Sequence, residues 1–436
     1  MKSSQPPFPS SHLDSTSDTD SDDHEHGPRL TVTQEDQLKV ESQVAEIYRC
    51  LVGIPLHRQS VALELWRDKH IEYLTKGLNQ LGHTFQVLDA NRPWLCYWIL
   101  HSFAVLGEEV DSELESRVVD FLSRCQDKEG GYAGGPGQMP HLATTYAAVN
   151  TLVNLGTQKA LSSINREGIY KFLLEMKDSS GAFRMHHAGE VDARSCYCAI
   201  SVASLLKIID DDLVRGIGDY IASCQTYEGG IGGEPHSEAH GGYTFCGLAS
   251  MILIDEVEKL DMASLIGWVA SRQGIELGFQ GRANKLVDGC YSFWQGAALV
   301  LAQKLLPLAE KVSEEQSSIH AIRDYSDIGI EFMRRGNQTG LLFHHLALQQ
   351  YIILCSQILE GGFRDKPGKF RDYYHTCYCL SGLSLCQYSM RDGDLKPSPS
   401  DILGPYSNLL EPVHPLYNVV LDKFFLANEF FSKNSF

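Results

Sequence analysis

The apolar positions of this chain fall into two kinds of helical pattern. Residues 199–206 and 297–306 are apolar on nearly every side, which predicts buried helices. Residues 113–125, 166–176 and 213–224 instead carry apolar side chains at three- and four-residue spacing, which predicts helices with one face in solvent. The chain therefore alternates between inner and outer helices.

A Gly-rich turn precedes most of the buried helices, and its recurrence reveals a repeat. The turns lie at 129–132, 180–183, 228–231, 278–279 and 360–363. The buried helices align on aromatic residues: Tyr97, Tyr146, Tyr197, Phe245, Phe293 and Tyr378. These aromatics are about 50 residues apart, except for a last interval of about 85, which predicts a surface insertion at about 304–341.

Six such units predict an all-α fold. One unit cannot bury its apolar face alone and must stack on its neighbours. Because the inner helices have no wet face, the stack should close into an α/α barrel, or toroid, of six helical hairpins. We assign the barrel to 34–390, entered through helices at 37–49 and 61–78. Residues 391–436 form an irregular segment and a last helix, 415–431, packed on the barrel.

Composition and charge restrict the partners and the cellular location that we expect for the protein. Residues 1–33 are acidic and nearly devoid of large apolar side chains, which predicts a disordered tail. A net charge of −18 argues against a nucleic-acid partner. With neither a secretory leader nor a long apolar run, we expect a cytoplasmic protein without stable membrane insertion. The twelve cysteines then read as reduced thiols.

Closing the ring brings equivalent positions of neighbouring units together at one end. Asp288 and Cys290 lie at the start of one inner helix, and His375 occupies the position of Cys290 in the next unit. One carboxylate, one thiolate and one imidazole leave a fourth coordination position open, as in catalytic zinc sites. The sequence therefore predicts a zinc centre on the rim.

An anion site should lie beside this centre. Arg282 and Lys285 lead into Asp288, with His240 and Tyr291 on the same rim, and these donors suit a diphosphate. For any one aromatic in the ring, ordinary core packing is the alternative, but together they predict an apolar well: Trp94, Trp98, Tyr146, Tyr197, Phe245, Phe293 and Trp294. A cationic rim above an apolar well favours an isoprenyl diphosphate.

The stretch from about 90 to 390 resembles the β subunits of protein prenyltransferases, most closely the farnesyl-transferring type. The matching segments occur in every repeat: 92–98, 140–146, 192–195, 240–246, 282–290, 365–369 and 375–378. The resemblance implies a zinc enzyme that forms a heterodimer with a prenyltransferase α subunit. It also implies transfer of farnesyl from farnesyl diphosphate to the cysteine of C-terminal CaaX sequences.

The resemblance further implies a role for each matching residue. Zinc would be held by Asp288, Cys290 and His375. The diphosphate would be held by His240, Arg282, Lys285 and Tyr291, and Tyr291 joins the catalytic set because it meets the leaving group. The lipid and peptide cavity would be lined by Trp94, Trp98, Arg194, Tyr197, Tyr243, Trp294 and Tyr374. Asp365 would position Mg²⁺ on the diphosphate, and Trp94 and Tyr378 would shorten the well to fit a 15-carbon lipid.

Three other readings stay open on sequence alone. One is the β subunit of a type I geranylgeranyltransferase, against which Trp94 and Asp365 argue. A terpene cyclase would need an aspartate-rich motif inside the ring, whereas 210–212 follows an inner helix. The third is a non-catalytic toroid scaffold, in which the polar rim groups only cap helices.

Overall fold

A computed structural model of the chain describes residues 30–309, 325, 327–335, 342–388 and 396–434. The predicted tail up to residue 29 and most of the predicted insertion lie outside these residues. The described α-helices are α1 (Val32–Val52), α2 (Leu56–Ala62), α3 (Arg67–Asn79), α4 (Arg92–Val105), α5 (Ser112–Cys125), α6 (Leu142–Leu155), α7 (Gln158–Ser162), α8 (Arg166–Met176), α9 (Ala193–Leu205), α10 (Asp211–Val214), α11 (Ile217–Cys224), α12 (Gly241–Leu253), α13 (Met262–Ala270), α14 (Tyr291–Ala309), α15 (Ile328–Arg334), α16 (His345–Tyr351), α17 (Tyr373–Tyr388) and α18 (Leu421–Lys433).

Short elements connect these helices. A π-helical turn, Ile352–Ser356, continues α16. The strands β1 (Phe363–Arg364) and β2 (Arg371–Asp372) form an antiparallel hairpin before α17, with Phe363 opposite Asp372. Single antiparallel bridges close similar hairpins before α6, α9 and α14. Four 3₁₀ segments complete the described structure: His83–Asn91, Val257–Lys259, Pro399–Asp401 and Tyr406–Asn408.

Six helices form a closed inner ring. Each contacts the next, and the last contacts the first, in the order α4, α6, α9, α12, α14, α17. Outside them lie α3, α5, α8, α11, α13 and α16. The predicted all-α toroid is therefore confirmed. Several hydroxyl groups inside the inner helices donate to a carbonyl of their own helix, as Thr151 does to Ala147 at 2.7 Å and Ser250 to Cys246 at 2.8 Å.

The Gly-rich turns join each unit to the next outer helix. A Cβ on Gly130 would lie 1.8 Å from the carbonyl oxygen of Gly168 in α8, and one on Gly361 would lie 2.0 Å from that of Lys69 in α3. Both glycines also have positive φ, 116° and 84°. Only glycine permits this approach, and at Gly361 it closes the outer layer onto the first unit.

The ring is closed at one end by the segment 413–420. Three of the aligned tyrosines donate hydroxyl hydrogen bonds to its backbone carbonyls: Tyr97 to Asn418 at 2.6 Å, Tyr146 to Tyr417 at 3.0 Å and Tyr197 to Leu416 at 2.8 Å. The prediction of one helix over 415–431 was therefore wrong at its start. These carbonyls serve the ring instead, and α18 begins at Leu421.

Other boundaries also differ from prediction. The helix α1 begins at Val32, inside the predicted tail, and the predicted helix over 213–224 is interrupted before α11 at Gly216, which has a φ of 78°. Within the predicted surface insertion, α15 is partly buried. Phe332 is 1% exposed. The carbonyl of Gly329 lies 3.2 Å from Nε2 of His414, which belongs to the floor of the ring, the segment 413–420. No helix in the described ranges has the length and apolar character needed to cross a bilayer.

Candidate active site

The inner helices begin at the open end of the ring with polar caps. The cap side chains of four of them accept the N–H two residues further on, at 2.8 to 3.1 Å, and these caps are His141, Asp192, His240 and Asp288. Each satisfies a backbone donor that the helix leaves free. Capping therefore fixes these side chains on the rim.

The helix α17 departs from this register by one residue. Asp372 caps it, accepting the N–H of His375 at 2.7 Å. Tyr373, which the repeat alignment places at the cap position, instead turns outward and stacks on Tyr73 of α3 with 4.7 Å between ring centroids. The rim therefore gains a carboxylate that the alignment did not predict.

Asp288, Cys290 and His375 come together between α14 and α17. One ligand atom from each lies within 4.8 Å of the others. Nε2 of His375 is 3.3 Å from Oδ1 of Asp288, and Cys290 is 3% exposed. Oxygen, sulfur and nitrogen donors at this spacing fit a four-coordinate zinc ion with one open position.

A second carboxylate orients the imidazole. Oδ2 of Asp372 lies 2.7 Å from Nδ1 of His375, which directs Nε2 towards Asp288. Such a partner is usual for a metal-binding histidine, since it fixes the tautomer. The sequence analysis did not name Asp372; the signal available was a carboxylate three residues before His375, in capping position.

The charges of the three residues respond to one another. Burial lowers the pKa of His375, but Asp288 and Asp372 outweigh it and raise that pKa to about 10. Burial opposes ionisation of Asp288, yet the neighbouring His375 holds its pKa below the usual value. Burial and the Asp288 charge raise the pKa of Cys290. Without metal the site thus holds an imidazolium and a neutral thiol, so metal binding would release protons.

Beside this cluster lies a cavity of about 1020 Å³ at the open end of the ring. Most of the predicted lining residues line it: Trp94, Trp98, Tyr146, Arg194, Tyr197, Tyr243, Trp294, Tyr374 and Tyr378. Phe245 and Phe293, which were predicted to line the apolar well, are fully buried and lie outside this lining. The ring of Tyr374 meets that of His375 edge-on at 5.0 Å, which joins the cavity to the metal ligands. Lining residues that the prediction omitted include His141, Glu190, Cys198 and Cys246.

Three of the four predicted diphosphate ligands line the cavity. His240, Arg282 and Tyr291 line the cavity, and Nη1 of Arg282 pairs with Oε2 of Glu238 at 2.8 Å. Lys285 is exposed on the same loop as Arg282 and does not line the cavity. Asp365 also lies outside the lining, and its carboxylate accepts from Lys366.

The tautomer of His240 determines which side chain donates in its hydrogen bond with Tyr291. Its Nδ1 accepts the N–H of Gly242, so the neutral ring carries its proton on Nε2. Nε2 lies 2.9 Å from the Tyr291 hydroxyl and therefore donates to it. Burial, followed by the charge of Arg282, lowers the pKa of His240, which favours this neutral form. The hydroxyl hydrogen of Tyr291 is then available to a ligand.

Fold and site together define a class of protein. Residues 65–419 match the family described as the prenyltransferase alpha-alpha toroid domain. The chain is 56% identical to the protein farnesyltransferase subunit beta of Arabidopsis thaliana over 93% of this chain and 90% of that protein. It is 54% identical to the subunit of the same name from Pisum sativum, over 93% and 98%. The chain therefore belongs to the family of protein farnesyltransferase β subunits.

A solved structure shares the fold. The Candida albicans protein geranylgeranyltransferase-I complexed with GGPP superposes with a TM-score of 0.61 at 22% identity, covering 84% of this chain and 99% of that one. At this identity the likeness concerns the toroid. The much higher identity to farnesyltransferase subunits favours them over the geranylgeranyl type.

Proposed function

We propose that this farnesyltransferase β subunit carries the catalytic centre of the enzyme, with zinc held by Asp288, Cys290 and His375. The observation that carries the proposal is the meeting of these three ligand atoms within 4.8 Å of one another, next to residues that line a large aromatic cavity. Zinc bound there would present the substrate cysteine as a thiolate at neutral pH. No side chain of this chain is needed as a covalent nucleophile.

The chain's own residues would stabilise the leaving group. As the sulfur–carbon bond forms at C1 of the farnesyl group, the carbon–oxygen bond breaks and its electron pair leaves with the diphosphate. The Tyr291 hydroxyl, oriented by His240, and the Arg282 guanidinium line the cavity and would stabilise that charge. Lys285, on the same loop, would add a second cation once a diphosphate is bound.

The cavity would hold a 15-carbon chain. Trp94 lies against Trp98 and Tyr146, each 5.7 Å away between ring centroids, and Tyr378 packs on Trp294 at 4.5 Å. These rings would limit the length of the lipid that the cavity accepts. Arg194, held by Asp192 with Nε 3.0 Å from Oδ2, lines the same cavity and would be available to a peptide substrate.

The remaining assignments rest on the family. The peptide substrate would be a C-terminal CaaX sequence, the partner a prenyltransferase α subunit, and the location the cytoplasm. Mg²⁺ would accompany the diphosphate near Asp365, although that carboxylate is paired with Lys366 here. The barrel limits, 34–390, and a C-terminal unit from 391 are likewise proposed.

The test is lipid transfer by the heterodimer of this chain with its α subunit. With labelled 15- and 20-carbon diphosphates and a CaaX peptide, we expect transfer of the 15-carbon group and one zinc per chain by elemental analysis. Cys290→Ser and His375→Ala should lose zinc and turnover together, while Cys50→Ser, at an exposed thiol far along the sequence, should keep both. A preference for the 20-carbon lipid would favour the geranylgeranyl type. Zinc-free wild type without transfer would favour a scaffold.

A further inference from the structure

The helix α1 precedes the matched family region, 65–419, yet it packs beside the proposed diphosphate site. We call residues 280–287 the anion hairpin. It is closed by an antiparallel bridge between Gln280 and Val287, and it carries Arg282 and Lys285 before leading into Asp288. Contacts that hold the anion hairpin in place therefore influence the positions of Arg282 and Lys285.

A small hydrophobic cluster attaches α1 to the hairpin. Val40 and Val44, 6% and 2% exposed, are buried with Val287, Tyr351 and Cys355, all three of which are fully buried. Ile47 and Tyr48 of α1 pack on the same cluster, as do Leu277 and Leu286. The base of the hairpin at Val287 thus lies between α1 and the outer helix α16 with its π-helical turn.

Hydrogen bonds fix α1 to the turn that precedes the hairpin. The Tyr48 hydroxyl donates to the backbone carbonyl of Glu276 at 2.7 Å, and Nε2 of Gln37 donates to Oε1 of the same residue at 2.6 Å. Glu276 is 2% exposed. A carboxylate buried so completely needs partners. In the part of the chain that the structure describes, α1 supplies the donor to Oε1, and Oε2 has no hydrogen-bond partner.

The turn that precedes the anion hairpin differs in sequence from the equivalent turns of the repeat. Leu277 stands where the equivalent turns have glycine, at Gly130, Gly229 and Gly361, and it too has a positive φ, 73°. In those units a Cβ would meet the backbone of the next outer helix at 1.8 to 2.1 Å. Here a leucine side chain is accommodated and packs on the α1 cluster. The fifth unit therefore has, in place of an unstrained glycine, a leucine that contacts the α1 cluster.

The zinc ligands are held by other means. Asp288 and Asp372 cap α14 and α17, and the N–H of Gly289 donates to the carbonyl of Asp365 at 2.7 Å. These bonds lie within the ring and do not involve α1. A displacement of α1 should therefore move Arg282 and Lys285 more than the metal ligands.

We infer that α1 is a positioning element that holds the anion hairpin and so sets the affinity of the site for the diphosphate group. This inference rests on the proposed function, since it takes Arg282 and Lys285 as diphosphate ligands. Binding of an anion by a short loop depends on where its cations stand, and small misplacements weaken it strongly.

The experiment uses the heterodimer carrying Tyr48→Phe or the pair Val40→Ala and Val44→Ala. Inorganic diphosphate is the probe for the anion site, and farnesyl diphosphate for the whole site. We expect the Kd for inorganic diphosphate and the KM for farnesyl diphosphate to rise roughly three- to tenfold. The KM for the peptide and the zinc content should stay within about twofold of wild type. Gln43→Ala, on the exposed face of α1, is the matched control and should change none of these.

Leu277→Gly separates positioning from simple stability. Glycine relieves the positive φ but also removes the leucine contact with the α1 cluster, so a purely structural role predicts a change in thermal stability alone, with unchanged diphosphate affinity. Our inference predicts weaker diphosphate binding despite that relief. If the wild-type heterodimer is active and every variant keeps the wild-type Kd for inorganic diphosphate, the inference about α1 is wrong while the proposed function stands. Absence of transfer by the wild type would instead overturn the proposed function.

Discussion

Trp94 lies in the first turn of α4 and forms part of the cavity wall. Trp94→Thr should lengthen the well and raise the ratio of kcat/KM for the 20-carbon over the 15-carbon diphosphate by about tenfold or more, the usual scale for apolar size discrimination. Competition between the two labelled lipids measures this ratio. Trp268→Phe, in the outer layer, should leave it unchanged. An unaltered ratio in Trp94→Thr would contradict the role of the indole in lipid length.

Asp372 combines helix capping with orientation of His375. Asp372→Asn can keep the cap through its remaining oxygen but weakens the hold on Nδ1, so zinc affinity should fall about 10- to 100-fold. Competition with a chelator gives this affinity. Asp111→Asn changes a capping aspartate of α5, whose Oδ1 accepts from Leu114 at 2.8 Å, and should leave zinc binding intact. Equal effects of the two substitutions would reduce Asp372 to a capping role.

Among whole elements, the Gly-rich turns determine how the outer layer closes. Gly361→Ala would place a Cβ 2.0 Å from the carbonyl oxygen of Lys69 at a φ of 84°. We expect a loss of about 2–4 kcal/mol in the free energy of unfolding, measured by urea denaturation of the heterodimer.

Gly267→Ala is the matched control for this turn. Gly267 lies within α13, and a Cβ there meets no atom within 4 Å. Alanine should stabilise the helix by about 0.5–1 kcal/mol. A Gly361→Ala protein as stable as wild type would show that α3 is free to move away, and that the outer ring is not closed by this contact.

The elements also show how far the sequence could be interpreted. Inner helices were predicted because apolar residues such as Ala, Leu and Val occupy nearly all of their faces. Outer helices were predicted because their apolar residues recur on one face. The floor at 413–420 was not, because Tyr417 and Asn418 owe their conformation to tyrosines over 200 residues away. Long-range hydrogen bonds of this kind leave no periodic signal in the chain.

Three buried histidines make the stability of the whole molecule depend on pH. Burial lowers the pKa of His70 and His101 to about 4 and that of His414 to about 3. His70 and His414 both accept a backbone N–H at Nδ1, so protonation would also break a hydrogen bond. Because the unfolded chain binds these protons more readily, their contribution is complete above pH 6.5 and is lost as pH falls towards 4.

At pH 5 the loss should be about 2 kcal/mol for each of these histidines. Urea unfolding of the zinc-loaded heterodimer between pH 7.5 and 5 measures it; zinc loading keeps His375, whose pKa shift has the opposite sign, out of the titration. His101→Asn should flatten part of the slope. A free energy of unfolding that stays constant down to pH 5 would contradict this account.

The repeat, the toroid and the three proposed metal ligands could be predicted from the amino-acid sequence. Those follow from periodicity, which local burial enforces, and from residue types that have few other uses on a rim. The folded structure was needed to show that Asp372 holds His375, that 413–420 closes the ring, and that α1 packs on the anion hairpin. The last two join residues far apart in the chain, whose partners are selected by the closed ring, whereas Asp372 is three residues from His375 and reaches it through the start of α17.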